Sequence, residues 1–439
     1  MLNPRILLTG LFSLLATATA QAQTKIVIAT VNNGDMIIMQ KLSKEFEKAH
    51  PDIKLDWVVL EENVLRERVT TDIATRGGSF DVMTIGTYET PIWAKKSWLI
   101  RLDDDLPSSY DLEDVLKPIR DGLSNDGKVY ALPFYGESSF TFYRKDLFQK
   151  AGVTMPEKPT YDDIAKFAKA TTDKSKGIYG ICLRGKPGWG ENMAYVDTLV
   201  NTFGGRWFDE NWKPELTSPE WKEAVSFYVD MMKKYGPPGA SSNGHNENRA
   251  LFATGKCAMW IDATVAAGYL ANPKESKVAD KLAFAPAPTQ KVPNGAQWLW
   301  SWALGIPASS KHVKEAKQFI QWATSKEYVK LVAASDGWTA VPPGTRKSTY
   351  EQKEYQAAAP FAELTLKAIL AADPTHPTGK PVPYTGVQFV AIPEFQSLGT
   401  QVGQNIASAL VGKTSVEGAL ETSQTIAERT MRRAGYTKK

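Results

Sequence analysis

The N-terminal part of the chain alternates between the two hydrophobic periods that distinguish strands from helices. Apolar residues at 26–29, strict alternation over 53–59 and an apolar run at 81–85 predict three strands. Between them, apolar positions recur every three or four residues over 38–49 and 62–76, which predicts two helices. Because strands that alternate with helices form parallel βαβ units, this part of the chain is predicted to be an α/β domain.

A similar alternation begins again after Pro133 and gives way to helices towards the C-terminus. The predicted strands are residues 140–143, 178–183 and 257–261, and the predicted helices are residues 161–170, 191–203, 219–235, 313–324, 326–334 and 361–371, with two more after Pro393. Two α/β lobes followed by a helix-rich tail are the simplest architecture for this order. A cleft between two such lobes is the usual place for a ligand.

Composition and charge narrow the classes of protein that this architecture could be. The 439 residues suffice for two or three domains, and 43% hydrophobic with 23% charged residues is typical of a globular protein. A net charge of only +4, without a block of Lys or Arg, argues against binding of nucleic acid. Four scattered His and two Cys offer no metal-binding or cofactor motif, so we expect no cofactor and no metal.

The N-terminus has the three parts of a secretory signal peptide. Arg5 provides the positive charge, residues 6–15 form an apolar run too short to span a bilayer, and the sequence AQA at 20–22 is a small-residue cleavage site. We therefore predict a signal peptide over residues 1–22 and a secreted mature chain that begins near Gln23.

In an oxidising compartment the two cysteines could form a disulfide. Cys182 and Cys257 each lie in a predicted strand, and they can bond if those strands are neighbours. If the strands lie apart, both cysteines are small buried apolar residues. The sequence leaves these two alternatives open.

Several motif-like segments do not carry the chemistry that they superficially match. Residues 407–414 fit a relaxed phosphate-loop pattern, but the residues before them have helical periodicity. Gly412 is therefore predicted to end a helix, and Thr414 with Glu417 to form the capping box of the next one. Residues 185–190 lack the spacing of a dinucleotide-binding loop, and the sequence contains no G-x-S-x-G motif.

Aromatic and acidic residues at two places favour carbohydrate recognition, which needs flat apolar faces beside planar polar groups. Trp298, Trp300 and Trp302 share one face if they belong to a strand, and that face lies either in the core or, for at least one indole, in a cleft. Asp262 follows an apolar run, where its carboxylate could face a cleft or cap a helix.

A series of short motifs, in a specific order, resembles one family. These motifs are NGD at 33–35, FYGES at 134–138, GKCAM at 255–259, WALGIP at 302–307 and GWTAVP at 337–342. Together they resemble the extracellular solute-binding proteins of ABC importers, in particular the maltose-binding-like group. The segment at 180–194 and the tryptophan-rich strand look most like the mannitol- and sorbitol-binding members.

The resemblance implies a periplasmic binding protein fold, with two α/β lobes, a hinge and a ligand cleft between the lobes. It places residues 23–133 and about 302–340 in the N-terminal lobe, and about 134–301 and 341–439 in the C-terminal lobe. It further implies a monomeric periplasmic protein that captures a polyol, such as mannitol, sorbitol or arabitol, or a small sugar. The lobes would close about the hinge, and the closed form would deliver the ligand to the importer's membrane subunits.

The resemblance also carries over a set of ligand-binding residues. Among them, Tyr88 and Glu89 depart in residue type from the maltose-binding pattern, which is compatible with a different ligand. Lys186 and Arg346 could instead be surface charges, and Trp338 could merely pack against a loop. The full set of candidates is Asn33, Asp35, Tyr88, Glu89, Glu137, Lys186, Trp189, Asn192, Asp262, Trp298, Trp302, Trp338 and Arg346.

Two other functions share parts of this pattern. A secreted glycosidase also places carboxylates beside tryptophans in a cleft, although no motif here pairs two carboxylates. A sugar sensor that signals to a chemoreceptor would share the fold and differ in its docking partner. We expect a binding protein that breaks no bond, and therefore not an enzyme.

Overall fold

The computed structural model describes residues 23–437, so the predicted signal peptide lies outside the described residues. The strands of this part of the chain are β1 (Thr24–Val31), β2 (Ile53–Leu60), β3 (Val82–Gly86), β4 (Ser124–Asn125), β5 (Lys128–Val129), β6 (Ala131–Glu137), β7 (Ser139–Arg144), β8 (Met259–Ala263), β9 (Leu282–Pro286) and β10 (Trp300–Gly305). The helices are α1 (Gly34–Ala49), α2 (Glu62–Thr75), α3 (Glu89–Lys95), α4 (Lys117–Gly122), α5 (Lys145–Ala151), α6 (Tyr161–Thr171), α7 (Asn192–Thr202), α8 (Pro219–Tyr235), α9 (His245–Ala253), α10 (Ala266–Ala271), α11 (Val313–Ala323), α12 (Lys326–Asp336), α13 (Lys347–Glu351), α14 (Lys353–Ala358), α15 (Ala362–Ala371), α16 (Phe395–Leu410) and α17 (Val416–Arg433). Among these helices, none is both long enough and apolar enough to cross a membrane.

The first lobe is built on a mixed sheet of five strands in the order β2-β1-β3-β10-β6. β1 runs parallel to β2 and β3, as the predicted βαβ units require, whereas β10 is antiparallel to both β3 and β6. α1 packs on β2, α2 packs on β1, and α11 contacts β1 and β6. The sheet therefore combines the N-terminal strands with a strand from much later in the chain.

α1 begins where the sequence supplies its N-cap. The backbone N–H of Met36 donates a hydrogen bond of 2.9 Å to Oδ1 of Asn33, the residue before the helix. The helix then buries Met36, Met39, Leu42 and Phe46 on the side that packs into the lobe. Asp35 consequently lies in the first turn of α1, next to the carboxyl end of β1.

The second lobe contains an antiparallel sheet of three strands in the order β8-β7-β9. α7 is buried along its whole length and packs against α8 and α16. The C-terminal helices α16 and α17 pack against each other and against α8. The helix-rich tail thus covers the second lobe.

The chain passes between the two sheets at the base of the cleft. β6 leads into β7 through Ser138 alone, and the segment after β9 leads back into β10. Trp300 pairs with Glu137 in the ladder between β10 and β6, so the sheet of the first lobe extends to Glu137. α15 contacts both β6 and β9 and spans this region.

Residues 178–183 were predicted to be a strand. Towards β8 and the segment just before it, they form only isolated single bridges. The ladder is interrupted because the N–H of Ile181 donates to a carbonyl at the end of α8. The two segments are neighbours nevertheless, and Cys182 and Cys257 form a disulfide with their Cα atoms 5.9 Å apart. Of the two alternatives for these cysteines, the structure therefore contains the bonded one.

One predicted helix cap is wrong, and the cap left open as an alternative for Asp262 is not formed. α17 is capped by Ser415, whose Oγ accepts the N–H of Gly418 at 3.0 Å, and not by Thr414. Asp262 lies inside β8 and caps no helix, because its carboxylate is already bound by other side chains of the second lobe.

Candidate ligand-binding site

A cavity of about 800 Å³ lies between the lobes, within the range typical of small-molecule sites. The first lobe contributes the loop after β1, the starts of α1 and α2, the end of β6 and the start of β10. The second lobe contributes the segment before α7, the starts of α9 and α10, and the end of β8. The sequence-predicted residues that line it are Asn33, Asp35, Glu137, Lys186, Trp189, Trp298 and Trp302.

The rims of the cavity touch each other across the cleft. Lys186 Nζ lies 2.5 Å from Glu61 Oε1, and Asn246 Nδ2 donates to the carbonyl oxygen of Asn32 at 3.0 Å. Each of these contacts joins the first lobe to the second. The structure is therefore the closed conformation of the cleft.

Glu137 ends β6 and presents a buried carboxylate to the cavity. Burial raises the pKa of Glu137 well above its usual range, against the opposing effect of the nearby Arg184 guanidinium. The carboxyl group faces the cavity, where it can exchange hydrogen bonds with hydroxyl groups.

Arg184, which the sequence analysis did not single out, enters the cavity from the second lobe and is held by Asp262. The Arg184 Nε and Nη2 atoms donate to Asp262 Oδ2 and Oδ1 at 2.8 and 2.6 Å, and His245 Nδ1 lies 2.9 Å from Oδ1. Burial alone would raise the pKa of Asp262, but the positive charge of Arg184 and the contact with His245 lower it below its usual range. Asp262 does not line the cavity, so its carboxylate orients Arg184 there.

The disulfide stands directly behind this ion pair. Cys182 precedes Arg184 by two residues, and Cys257 precedes Asp262 by five. The Cys182 N–H also donates to the carbonyl oxygen of Met259 at 2.9 Å. The covalent link therefore fixes the segment that carries Arg184 against β8, the strand that carries Asp262.

Glu191 lies beside the same ion pair and was also missed by the sequence analysis. Its carboxylate oxygens are 3.7 Å from Arg184 Nη1 and 3.8 Å from Lys186 Nζ, and Oε2 accepts no hydrogen bond within the described residues. Burial, with the nearby Glu62 carboxylate, raises the pKa of Glu191 to about 8. Gly244 makes room for this side chain, because a Cβ there would lie 2.6 Å from the Glu191 carboxylate.

The rim on the first lobe is formed by the loop after β1. Asn33 Nδ2 donates to Tyr135 Oη at 3.1 Å, while Asn33 Oδ1 caps α1. Burial raises the pKa of Asp35 to about 7, and the positive charge of Arg249 from the second lobe opposes that rise. Polar groups of both lobes thus meet on this side of the cavity.

Four indoles line the opposite part of the cavity. Trp298, Trp300 and Trp302 are 2–4% exposed, and Trp189 from the second lobe packs edge to face against Trp300 with ring centroids 5.9 Å apart. The Nε1–H groups of Trp189 and Trp298 are buried and have no acceptor among residues 23–437. The predicted tryptophan face therefore borders both the core and the cleft.

Arg66 reaches this aromatic cluster from α2, although the sequence analysis did not single it out. Its guanidinium forms ion pairs with Glu62 and Glu89 at 2.9 and 2.7 Å. The spacing of Glu62 and Arg66 on one helix is typical of an exposed surface pair, which is why this signal was not informative.

Three predicted residues lie one layer behind the cavity and do not line it. Tyr88 Oη donates to a carbonyl before α16 at 2.9 Å and packs against the Trp189 ring. Glu89 binds Arg66, and its second oxygen accepts a backbone N–H at the end of β3. Asn192 Nδ2 donates to a carbonyl of α16 at 2.9 Å. These side chains support the residues that line the cavity.

Two further predicted residues lie away from the cavity. Arg346 is 1% exposed and donates to the carbonyl oxygens of Tyr110 and Thr324 at 2.9 and 3.0 Å, so it is neither a cavity residue nor a surface charge. Trp338 opens a 3-10 turn, Trp338–Ala340, whose following residues line the cavity while Trp338 does not. Both residues therefore belong to the framework around the cleft.

Comparison with protein families matches residues 32–330 to the model described as bacterial extracellular solute-binding protein. The chain is 58% identical over 419 residues to the mannitol-binding protein of Pseudomonas aeruginosa, and this alignment covers 95% of the chain and 96% of that protein.

Comparison with solved structures gives a similar result. The crystal structure of an ABC transporter solute-binding protein from Agrobacterium vitis S4, with bound D-mannitol, has a TM-score of 0.93 and 62% identity and covers 94% of this chain and 100% of that chain. A solute-binding protein from Agrobacterium radiobacter K84, in complex with ribitol, has a TM-score of 0.82 at 24% identity and covers 93% and 99% of the two chains. At this lower identity the likeness shows the fold alone. The matches confirm the two-lobed α/β fold that the sequence predicts.

Proposed function

Since the chain belongs to the family of bacterial extracellular solute-binding proteins, we propose that it captures D-mannitol, or a hexitol of closely similar shape, between its lobes. The observation that carries this proposal is a closed, polar interlobe cavity in a chain that is 62% identical to a protein crystallised with D-mannitol. Related linear polyols such as sorbitol and arabitol share the same chemistry and are the first competitors to consider.

Family membership confirms the class that the sequence predicts, a binding protein and not an enzyme. The glycosidase alternative is therefore not favoured. The ligand is bound and released without chemical change. The relevant free energies are therefore those of ligand binding and lobe closure, and no transition state is involved.

The cavity offers a linear polyol a matched set of hydrogen-bond partners. Each hydroxyl group donates one hydrogen bond and can accept others, so a polyol needs acceptors and donors in similar supply. The raised pKa values of Glu137 and Glu191 favour their protonated form, in which each carboxyl group both accepts and donates. The Arg184 guanidinium and the Trp189 and Trp298 indole N–H groups are donors. Hydrogen bonds from the charged Arg184 are stronger than neutral ones and give the binding its directionality.

The ligand would also join the two lobes. Glu137 belongs to the sheet of the first lobe, whereas Arg184 and Glu191 belong to the second. A polyol that contacts both sides binds the closed form better than the open form and so shifts the protein towards closure. The closed protein would then meet the membrane subunits of an ABC importer as a monomer in the periplasm, after removal of the signal peptide.

Isothermal titration calorimetry tests the proposal directly. The mature protein is unfolded and refolded to remove bound ligand, then titrated with D-mannitol, sorbitol, arabitol, D-glucose and maltose. We expect saturable binding of the polyols, with D-mannitol among the tightest, and no saturable heat from glucose or maltose. Saturation by glucose or maltose with no response to the polyols would refute the proposed ligand and leave the family assignment intact.

A matched pair of variants tests the site. Glu137→Gln changes a carboxylate in the cavity, and Glu113→Gln changes one whose side chain is 82% exposed, so the two substitutions are chemically identical. Loss of a hydrogen bond to a buried carboxyl group that its raised pKa keeps protonated costs about 0.5–1.5 kcal/mol, which corresponds to a roughly 2- to 12-fold weaker affinity for Glu137→Gln. Equal affinity in both variants would remove Glu137 from the proposed site.

A further inference from the structure

The guanidinium of Arg66 is inserted among three indoles at the wall of the cavity. Its central carbon lies 4.0 Å from the ring centroid of Trp189, 4.5 Å from that of Trp302 and 4.8 Å from that of Trp300. These distances are well within the range of cation–π stacking. The indole faces directed at this point are therefore already covered by a planar group of the protein.

The position of Arg66 is fixed by two carboxylates. Glu62 Oε1 accepts Nε and Nη2 of Arg66 at 3.1 and 2.9 Å, and Glu89 Oε1 accepts Nη1 at 2.7 Å. Glu89 Oε2 in turn accepts the Gly86 N–H at 2.9 Å, so this carboxylate is itself held by the backbone of the first sheet. Only 5% of Arg66 is exposed. The guanidinium is consequently a rigid part of the cavity wall.

The Trp300 ring, which lies against Gly86, has no room to move away from Arg66. A Cβ at Gly86 would lie 2.0 Å from the Trp300 ring, so that ring rests directly on the backbone of β3. Trp302, two residues later on β10, pairs with Gly86 in the ladder between the strands. The stacking partners of Arg66 are thus held by the sheet.

An indole face is the surface on which the C–H groups of a pyranose ring pack. A linear polyol has no such ring and depends on hydrogen bonds instead. A guanidinium carries five N–H donors, and three of those of Arg66 are used by Glu62 and Glu89. Arg66, which lines the cavity, therefore has two donors left for hydroxyl groups.

We infer that Arg66 is a specificity-determining residue, which covers the indole platform, excludes pyranose rings and offers donors to an open-chain polyol. This inference rests on the proposed function, because it explains how a fold shared with sugar-binding proteins would prefer a ligand without a ring. Arg66 also contacts Trp189 across the cleft. If its role were limited to holding the lobes together, substitution of Arg66 would weaken the affinity for every ligand alike, which is a different result.

The experiment measures the ratio of two affinities by calorimetry. The ligands are D-mannitol and methyl α-D-glucopyranoside, whose ring cannot open. In the variant Arg66→Met/Glu89→Gln, the first substitution removes the planar cation. The second keeps an acceptor for the Gly86 N–H and avoids leaving a carboxylate at position 89 without its cationic partner. Arg101→Met, at an arginine outside the cavity whose side chain is 40% exposed, is the matched control.

For the wild type and for Arg101→Met we expect mannitol binding and no detectable binding of the pyranoside. For Arg66→Met/Glu89→Gln we expect mannitol affinity to fall about tenfold or more, as the loss of charged donors requires, and the pyranoside to bind measurably. A folded variant that still rejects the pyranoside overturns the inference, whatever happens to mannitol.

A second variant keeps the test decisive if the first does not fold. Arg66→Lys retains a positive charge between Glu62 and Glu89, but its ammonium group is compact and cannot cover an indole face. We expect this variant, too, to gain pyranoside binding, and a thermal melt near that of the wild type establishes that it is folded. Failure of the wild type to bind mannitol contradicts the proposed function, whereas failure of both Arg66 variants to gain the pyranoside contradicts only the role of Arg66.

Discussion

Substitution of Asp262 by Asn separates a residue that contacts the ligand from one that positions its neighbour. Asp262 is 1% exposed and accepts two hydrogen bonds from Arg184, at 2.8 and 2.6 Å. Its negative charge is therefore paired with a protein side chain. We therefore expect Asp262→Asn to weaken mannitol binding through Arg184. The same change should also destabilise the empty protein, because the guanidinium would stay buried without this partner.

The expected size follows from the burial of the pair. Removing one partner of a buried ion pair typically costs about 3–5 kcal/mol. Loss of the Asp262 charge removes one cause of the raised pKa of Glu191, so this carboxyl group, 3.7 Å from Arg184, can ionise and supply part of the missing charge. We therefore expect the lower end, about 3 kcal/mol, in the free energy of unfolding. A displaced guanidinium should weaken the affinity by about 10- to 150-fold, the range for a lost charged hydrogen bond.

A double-mutant cycle provides the assay. Urea denaturation and calorimetric titration with D-mannitol are measured for Asp262→Asn, Arg184→Met and the double variant. If Asp262 acts through Arg184, the double variant binds mannitol no more weakly than Arg184→Met alone, and its loss of stability is smaller than the sum of the two single losses. An Asp262→Asn substitution that weakens mannitol binding by the same factor with and without Arg184 would refute this reasoning and restore Asp262 as a direct ligand contact.

Three further predictions concern stability. Because the pKa of Glu137 is raised in the folded state, Glu137→Gln should raise the urea midpoint of the empty protein at pH 8, and an unchanged or lower midpoint would contradict this. In the folded protein the pKa of Asp35 is raised to about 7 and that of Glu191 to about 8. Between about pH 4 and 8 the unfolded chain therefore binds fewer protons than the folded protein, so the free energy of unfolding should fall as pH rises. Denaturation at several pH values checks this, and Asp35→Asn with Glu191→Gln should flatten the slope, whereas a rise in stability over this range would exclude it. Finally, Cys182→Ser/Cys257→Ser removes a link across 75 residues and should cost about 4 kcal/mol, measured by denaturation against the oxidised wild type, and an equal midpoint would contradict the estimate.

The fold could largely be predicted from periodicity, because its elements bury one face each. The predicted strands at 26–29, 53–59 and 81–85 correspond to β1, β2 and β3, and the helices between them to α1 and α2. Periodicity does not show which strands pair when they lie far apart in the chain. The family resemblance implied a return of the chain to the first lobe near residue 302, but the position of β10 between β3 and β6 was not predicted.

The site was predictable only where residue type itself carried information. The tryptophans around β10 were identified because several indoles on one strand face are unusual, whereas Glu137 was identified only through the family resemblance. Arg66 and Arg184 were missed because an arginine on a helix or in a loop normally points into solvent. They are buried here because each is paired with a carboxylate of its own lobe that lies far away in the chain, Glu89 for Arg66 and Asp262 for Arg184.

The groups that bind the ligand also make the empty closed form costly. Oε2 of Glu191 and the indole N–H groups of Trp189 and Trp298 are buried in the closed cleft without protein hydrogen bonds in the described part of the chain. An open cleft would let water reach them, whereas closure without a ligand would remove that water and leave buried polar groups unsatisfied. In the proposed function, a polyol would replace the water with hydroxyl groups that donate to Glu191 Oε2 and accept from the indoles. The same few side chains would then set both which ligand is bound and whether the lobes close, and a substitution that satisfies them internally would favour closure while weakening binding.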